Sequence, residues 1–183
     1  MSVDVDGTRR DFLYVATTAV GAVGAAAAAW PLVDYLNPDA AERALASTEV
    51  NIADLSEGQT ITVMWRGKPV FIRYRTAEEI ALSKEVSIDE LPDPFAQNAN
   101  LSPEDPSSDS NRSVPGEEQY IIMIANCTHF GCIPTGESGD YGGWYCPCHG
   151  SQFDTAGRVR AGPAARNLDI PPYNKNGDVI VIG

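Results

Sequence analysis

The sequence predicts a mainly β domain of antiparallel sheets carried on a single N-terminal transmembrane helix. Three observations predict it. Residues 12–30 contain no charged side chain. Short apolar runs, several alternating with period two, recur from residue 50 to the end. All four cysteines and both histidines of the 183 residues fall in one 23-residue stretch, 127–149, between such runs. Strands that hold reactive loops in place are the arrangement this pattern implies.

The first element opens on Thr8-Arg9-Arg10-Asp11-Phe12-Leu13 and stays uncharged effectively through Val33. As a helix, residues 12–30 would measure about 28 Å, close to the roughly 30 Å hydrocarbon core of a bilayer. The run is rich in Ala, with Gly21 and Gly24, and small residues suit close packing against neighbouring membrane helices. Two adjacent arginines before an apolar run resemble the twin-arginine export signal, whose pathway moves folded proteins. The length of the run, with Trp30 where an interfacial aromatic would sit, favours a retained anchor over a cleaved signal peptide. The expected layout is a cytoplasmic N-terminus over residues 1–11 and an anchor over 12–33 in the bacterial inner membrane. A flexible, polar, Ala-rich linker over 34–49 and a periplasmic domain over 50–183 complete it.

Within that domain, Val50 and Ile52 precede the turn Asp54-Leu55-Ser56-Glu57-Gly58. Ile61, Val63 and Trp65 alternate with Thr62 and Met64, and Arg66-Gly67-Lys68-Pro69 breaks the run before Val70-Phe71-Ile72, which predicts a hairpin. Thr76 with Glu79 three positions on matches a capping box and predicts a short helix to about Ser83. Residues 92–118, rich in Pro, Asp, Asn and Ser, read as a surface excursion. Residues 120–125 form an apolar strand leading into Cys127. Ile170 and residues 179–182, separated by the turn formers Asn174-Lys175-Asn176-Gly177, read as a closing hairpin. A subdomain built around the cysteines and histidines is expected over about 120–168.

The formal charge of −12, from 25 acidic and 13 basic residues, argues against a nucleic-acid surface, which needs clustered Lys and Arg. The acidic excess is spread along the chain, as on a soluble surface, and leaves room for a patch that steers a basic protein partner. Gly131, Gly142, Gly143 and Gly150 read as backbone freedom around the cysteines. No strand–GxGxxG–helix context and no Walker sequence accompany them.

The metal-binding candidates form two clusters, Cys127-x-His129-x-x-Cys132 and Cys146-x-Cys148-His149. A structural zinc ion would take four of these six side chains and leave two over. The symmetric alternative takes Cys127 with Cys146 and His129 with His149, the mixed ligation of a [2Fe–2S] centre with two thiolates on one iron and two imidazoles on the other. Cys132 and Cys148 then remain, one per loop, and could form a disulfide in an oxidising compartment, which an export signal supplies.

Cys127-Thr128-His129-Phe130-Gly131-Cys132 and Cys146-Pro147-Cys148-His149-Gly150-Ser151 resemble the two cluster-binding loops of a Rieske iron–sulfur protein. The likeness extends over the twin-arginine anchor, Trp65-Arg66-Gly67-Lys68-Pro69, and Gly157-Arg158-Val159-Arg160-Ala161-Gly162-Pro163 onward through Asn167-Leu168. Over most of its length the chain is similar to the Rieske subunits of ubiquinol–cytochrome c reductase, the bacterial cytochrome bc1 complex. The resemblance implies a Rieske fold and one [2Fe–2S] cluster ligated by Cys127, His129, Cys146 and His149, with a Cys132–Cys148 disulfide. It also implies Thr128 and Phe130 in the loop that shields the cluster and a Ser151 hydroxyl donated to a cluster sulfur.

One position departs from the family. Where respiratory Rieske subunits usually carry a tyrosine that donates to a ligand cysteine, this chain has Phe153. Loss of that donor is expected to lower the potential, unless Gln152 or backbone N–H groups compensate. Trp144 and Tyr145 read as loop packing, Pro163 as part of a rigid covering loop, and Gly162 as room for its close approach.

The function the resemblance implies is electron transfer in a proton-translocating quinol–cytochrome c reductase. His149, the quinol-facing ligand, would take a proton as an electron leaves ubiquinol at a cytochrome b partner. The domain would swing on its linker to a cytochrome c1 partner, within a dimeric complex. Two readings compete at the level of sequence. One is the small Rieske subunit of another exported oxidoreductase, such as an arsenite oxidase. The other is a zinc-stabilised binding module without redox chemistry.

Overall fold

The computed structural model describes residues 7–37 and 46–183, in two separate units divided at residues 44 and 45. The central part of the expected linker, 38–45, lies outside the described residues. In the first unit, helix α1 spans Arg9–Asp34. Thr8 caps it: the Asp11 N–H donates to the Thr8 hydroxyl and the Asp11 carboxylate accepts from the Thr8 N–H and O–H. That reciprocal cap satisfies otherwise orphaned N–H groups, so the helix starts three residues before the expected anchor and takes both arginines into its first turn. It ends at Asp34 rather than Val33, and its best 18-residue window has a mean hydropathy of 1.7. Phe12, Leu13, Trp30, Leu32 and Val33 are all exposed within the unit, as side chains destined for lipid would be.

The second unit contains three antiparallel sheets. Strand β1 (Thr48–Asn51) pairs with β10 (Val179–Ile182), which pairs with β9 (Tyr173–Asn176). β2 (Thr60–Trp65), β3 (Lys68–Tyr74) and β4 (Tyr120–Ile124) form the second sheet. The third runs in the order β5 (Thr135–Gly136), β6 (Gly142–Tyr145), β7 (Gln152–Asp154), β8 (Val159–Ala161). The β2–β3 hairpin is the expected one. Trp65 pairs with Lys68 across Arg66 and Gly67, whose φ values of +48° and +72° are those of a two-residue turn matched to strand twist.

Helix α2 (Ala77–Glu85) is capped by Thr76 and Glu79 and runs two residues past Ser83. It is fastened to the turn between β7 and β8. The Thr155 hydroxyl donates to Glu79 O at 2.8 Å, and Arg158 donates to Ser83 O at 2.8 Å and to the Ser83 hydroxyl at 3.0 Å. Two apolar cores result. One, around Val70, Ile72, Ile122, Ile180 and Ile182, unites the first two sheets. The other, around Phe71, Met123, Trp144, Phe153 and Leu168, includes Cys127 and Cys146.

Three expectations need correction. The linker cannot extend to residue 49, because β1 is already paired with β10 from Thr48↔Ile182 onward. The closing hairpin is β9–β10, turning at Gly177 and Asp178. Asn174, Lys175 and Asn176 are strand residues, and Ile170 instead bridges in parallel to Asn98. These turn-forming types are tolerated because β9 is an edge strand whose side chains alternate outward. Residues 92–118 are no simple excursion. Asp93, Ser107, Asp109, Arg112 and Ser113 are buried, and their polarity is used internally. Arg112 donates to the carbonyls of Ala96, Ala156 and Gly157, and Asn167 Nδ2 donates to Asp93 O, Phe95 O and Ser107 Oγ. Buried carbonyls need donors, and these side chains supply them.

Candidate metal centre

Strand β4 ends just before Cys127 and β6 just before Cys146, so two strands of the cores deliver the two loops. The loops share one backbone pattern. The Cys127 N–H donates to Cys132 O at 2.8 Å, and the Gly131 N–H returns to Cys127 O at 2.7 Å. Likewise the Cys146 N–H donates to Ser151 O at 2.8 Å, and the Gly150 N–H returns to Cys146 O at 2.9 Å. Gly131 and Gly150 have φ of +79° and +77°, the left-handed conformation such a return requires. Each turn buries its cysteine and lifts its histidine to the rim.

Cys132 and Cys148 are joined by a disulfide that closes 16 residues of sequence, linking the two loops directly. Cys127 and Cys146 are free thiols, each 2% exposed. Burial pushes the Cys146 thiol above its ordinary range, and the adjacent Cys127 thiol raises it further. The sulfurs of Cys132, Cys146 and Cys148 lie within 4.8 Å of one another. The His129 and His149 rings meet edge to face at 4.7 Å between centroids, and Phe130 stands 4.2 Å from His129. His129 Nδ1 is buried and has no hydrogen-bond partner among the described residues. His149, Phe130 and Ile133 are exposed at the tip.

Residues 162–166 form a third loop fastened to the other two. The Ala164 N–H donates to the Ser151 hydroxyl at 3.0 Å, and the Thr128 hydroxyl donates to Arg166 O. At Gly162, with φ of +91°, a Cβ would lie 2.6 Å from Ser151 Cα and 2.7 Å from Gly150 O. The close approach expected of Gly162 is therefore an approach to the second loop. Ser151 accepts from Ala164, which leaves its own proton to give elsewhere. The Thr128–Arg166 and Ser151–Ala164 bonds had no signal in the sequence, since each has a backbone group as one partner.

Phe153 is fully buried in the core shared with Cys127 and Cys146. Gln152, a possible substitute donor, is spent elsewhere. Its Oε1 accepts from the Asp140 N–H at 2.7 Å and its Nε2 donates to Asp140 Oδ2 at 3.0 Å. Trp144 packs in the core, stacked on Phe71 at 6.3 Å.

The donor set suits a [2Fe–2S] group. Two adjacent buried thiols ionise only at a cost unless a metal charge offsets it, and a buried imidazole nitrogen without a partner is a ligand in waiting. Two loops that each offer a buried sulfur and a rim histidine define the class of the protein: a Rieske iron–sulfur protein. In agreement, residues 105–173 match the family model described as the Rieske [2Fe-2S] domain.

The particular family follows from the whole chain, which belongs to the iron–sulfur subunits of ubiquinol–cytochrome c reductase. It is 52% identical over 169 residues to the ubiquinol-cytochrome c reductase iron-sulfur subunit of Blastochloris viridis, covering 92% of this chain and 88% of that one. The subunit of Rhodospirillum rubrum is 47% identical over 182 residues, covering 97% and 92%. Among solved structures, a chain of a hyperthermophilic respiratory Complex III superposes with a TM-score of 0.51 at 25% identity, covering 91% of this chain and 98% of that one. Residues 2–39 match the twin-arginine signal model of the ubiquinol–cytochrome c reductase Fe–S subunit. With helix α1, that match marks a membrane-anchored protein exported to the periplasmic side. Its role is electron transfer within a multi-subunit respiratory enzyme.

Proposed function

We propose that Cys127 and Cys146 bind one iron and His129 and His149 the other, each histidine through Nδ1, in a single Rieske cluster. The observation that carries this reading is the shared turn of the two loops, which sets two buried thiols beneath two rim imidazoles. When bound, the cluster supplies a one-electron acceptor, more oxidising than an all-cysteine centre because neutral imidazoles replace anionic thiolates on one iron. The chain's residues do the rest. His149 Nε2, on an exposed ring, accepts a hydrogen bond from the hydroxyl of ubiquinol and takes its proton. Phe130 and Ile133 give that encounter an apolar floor against a cytochrome b partner. The Cys132–Cys148 bridge and the 162–166 loop keep water from the buried thiols.

The subunit thereby takes one electron from ubiquinol and delivers it to a cytochrome c1 partner, within a dimeric complex. Residues 35–45 act as the tether on which the head moves between the two. Gentle detergent purification followed by EPR tests the assignment. Reduced material is expected to show a rhombic [2Fe–2S] signal, lost without loss of the folded head when His149 is replaced by Ser. Colourless protein holding one zinc ion would overturn it. A His129→Ser variant that keeps the rhombic signal would remove that histidine from the ligand set.

A further inference from the structure

The place where the chain enters the head is held by an unusual convergence of three groups. Trp65, 7% exposed at the end of β2, donates its indole Nε1–H to the carbonyl of Ala46 at 2.8 Å. Gly183, at φ of +107°, closes the other side. A Cβ there would lie 2.2 Å from Ala46 O and 2.6 Å from Trp65 Nε1. The Gly183 N–H is itself pinned to Pro172 O at 2.8 Å. Two residues on, the Thr48 hydroxyl donates to Met64 O at 3.1 Å and the β1–β10 ladder begins.

A buried indole N–H must find an acceptor. Here it takes a carbonyl from outside its own sheet, before any strand of the first sheet has started. The Arg66 guanidinium lies over the same ring at 5.0 Å, a second contact that holds the indole in place. Within the described head, the Ala46 carbonyl is thus fastened to tertiary structure ahead of β1.

We propose that Trp65 is a clamp that sets the head-side end of the tether at Ala46. Without it the end moves to Thr48, adding two residues or about 7 Å of reach. The clamp stands on the geometry of Ala46, Trp65 and Gly183. Its consequence for turnover rests on the tether reading above.

The test uses the full-length, cluster-loaded complex in detergent. Trp65→Phe keeps the ring in the core but removes the N–H. Hydrogen exchange over residues 46–49 is expected to quicken by roughly tenfold, the factor for one lost hydrogen bond of about 1.4 kcal/mol. Exchange over β2, β3 and β4, and the EPR spectrum, should stay as in the wild type. Gly183→Ala, which crowds Ala46 O with the indole intact, should release the same residues. Unchanged exchange at 46–49 in both variants, or a rise spread evenly over β2–β4, would overturn the clamp and leave Trp65 a core residue.

Turnover separates the two ideas. Trp65→Phe should slow cytochrome c reduction by the complex, and deleting two residues from 38–45 in that background should restore the wild-type rate. Selective release at 46–49 with no response of turnover to either change retains the clamp and rejects the tether.

Discussion

Gly131 and Gly150 occupy equivalent positions. Each lies four residues after a buried cysteine, has φ near that of the other (+79° and +77°), and donates its N–H to that cysteine's carbonyl. A Cβ at Gly131 would meet nothing within 4 Å, and one at Gly150 only the Tyr145 hydroxyl at 3.8 Å. The cost of a side chain at either is therefore backbone strain alone, about 1–2 kcal/mol. Gly131→Ala and Gly150→Ala should each lower the unfolding midpoint of the head by a similar few degrees and retain iron. Strongly unequal shifts in calorimetry would break the equivalence.

Gly162→Ala should behave differently. Its Cβ would meet backbone, Ser151 Cα at 2.6 Å and Gly150 O at 2.7 Å, and backbone cannot swing aside as a side chain can. The covering loop must lift, and with it the Ala164–Ser151 hydrogen bond. The expected outcome is a folded head whose iron is lost to a chelator at least several-fold faster than from Gly131→Ala. Equal retention in the two variants would show that the covering loop does not protect the site.

The disulfide is the third fastening. Closing 16 residues of sequence, it should stabilise the oxidised head by about 3 kcal/mol through the chain entropy of the unfolded state. Cys132→Ser with Cys148→Ser is expected to lower the unfolding midpoint and to bleach the cluster more readily. A double variant with unchanged unfolding and iron content would leave the bridge without a structural role.

What the sequence made legible was local or chemically scarce. Arg66-Gly67 could be read as a turn, and Thr76 with Glu79 as a cap, because each is decided by a few neighbouring residues. The site residues stood out because cysteine and histidine occur nowhere else in the chain. Residues 92–118 misled because their polar side chains are spent on buried carbonyls rather than on water, a choice made by distant partners such as Ala156 and Asn167. The strand β9 was hidden by turn-forming residues whose conformation is imposed by β10. The third loop's hold on Ser151 was invisible because the donor is a main-chain N–H.

Phe153 tests how far the core tunes the site. It is fully buried beside Cys127 and Cys146, and the Gln152 amide is engaged by Asp140. Phe153→Tyr adds a hydroxyl to a side chain packed in the core that holds Cys127 and Cys146, whose sulfurs are the proposed ligands. A donor stabilises the reduced, more negative cluster, so the potential should rise. A gain of about 1 kcal/mol corresponds to roughly 40 mV for one electron. A redox titration monitored by EPR, showing an unchanged or lower midpoint, would defeat the argument.

The buried pair Arg75–Asp109 should set the acid limit of the head. Asp109 is 4% exposed and takes both of its carboxylate oxygens to the Arg75 guanidinium. Burial alone would raise its carboxyl. The hydrogen bonds and charge of Arg75, with help from Ser83 and Arg158, outweigh that and hold it below the ordinary carboxylate range. A depressed folded value means that the pair's contribution is complete above the unfolded carboxyl value, about 3.9, and is lost as pH falls through the lower folded one. Urea unfolding of the wild type should thus lose part of its stability below about pH 4. Asp109→Asn leaves the Arg75 charge buried without its counter-charge, which costs about 3–5 kcal/mol. The variant should therefore be less stable at pH 7 yet show a shallower fall in acid. An acid slope identical to the wild type would mean that other carboxylates govern the limit.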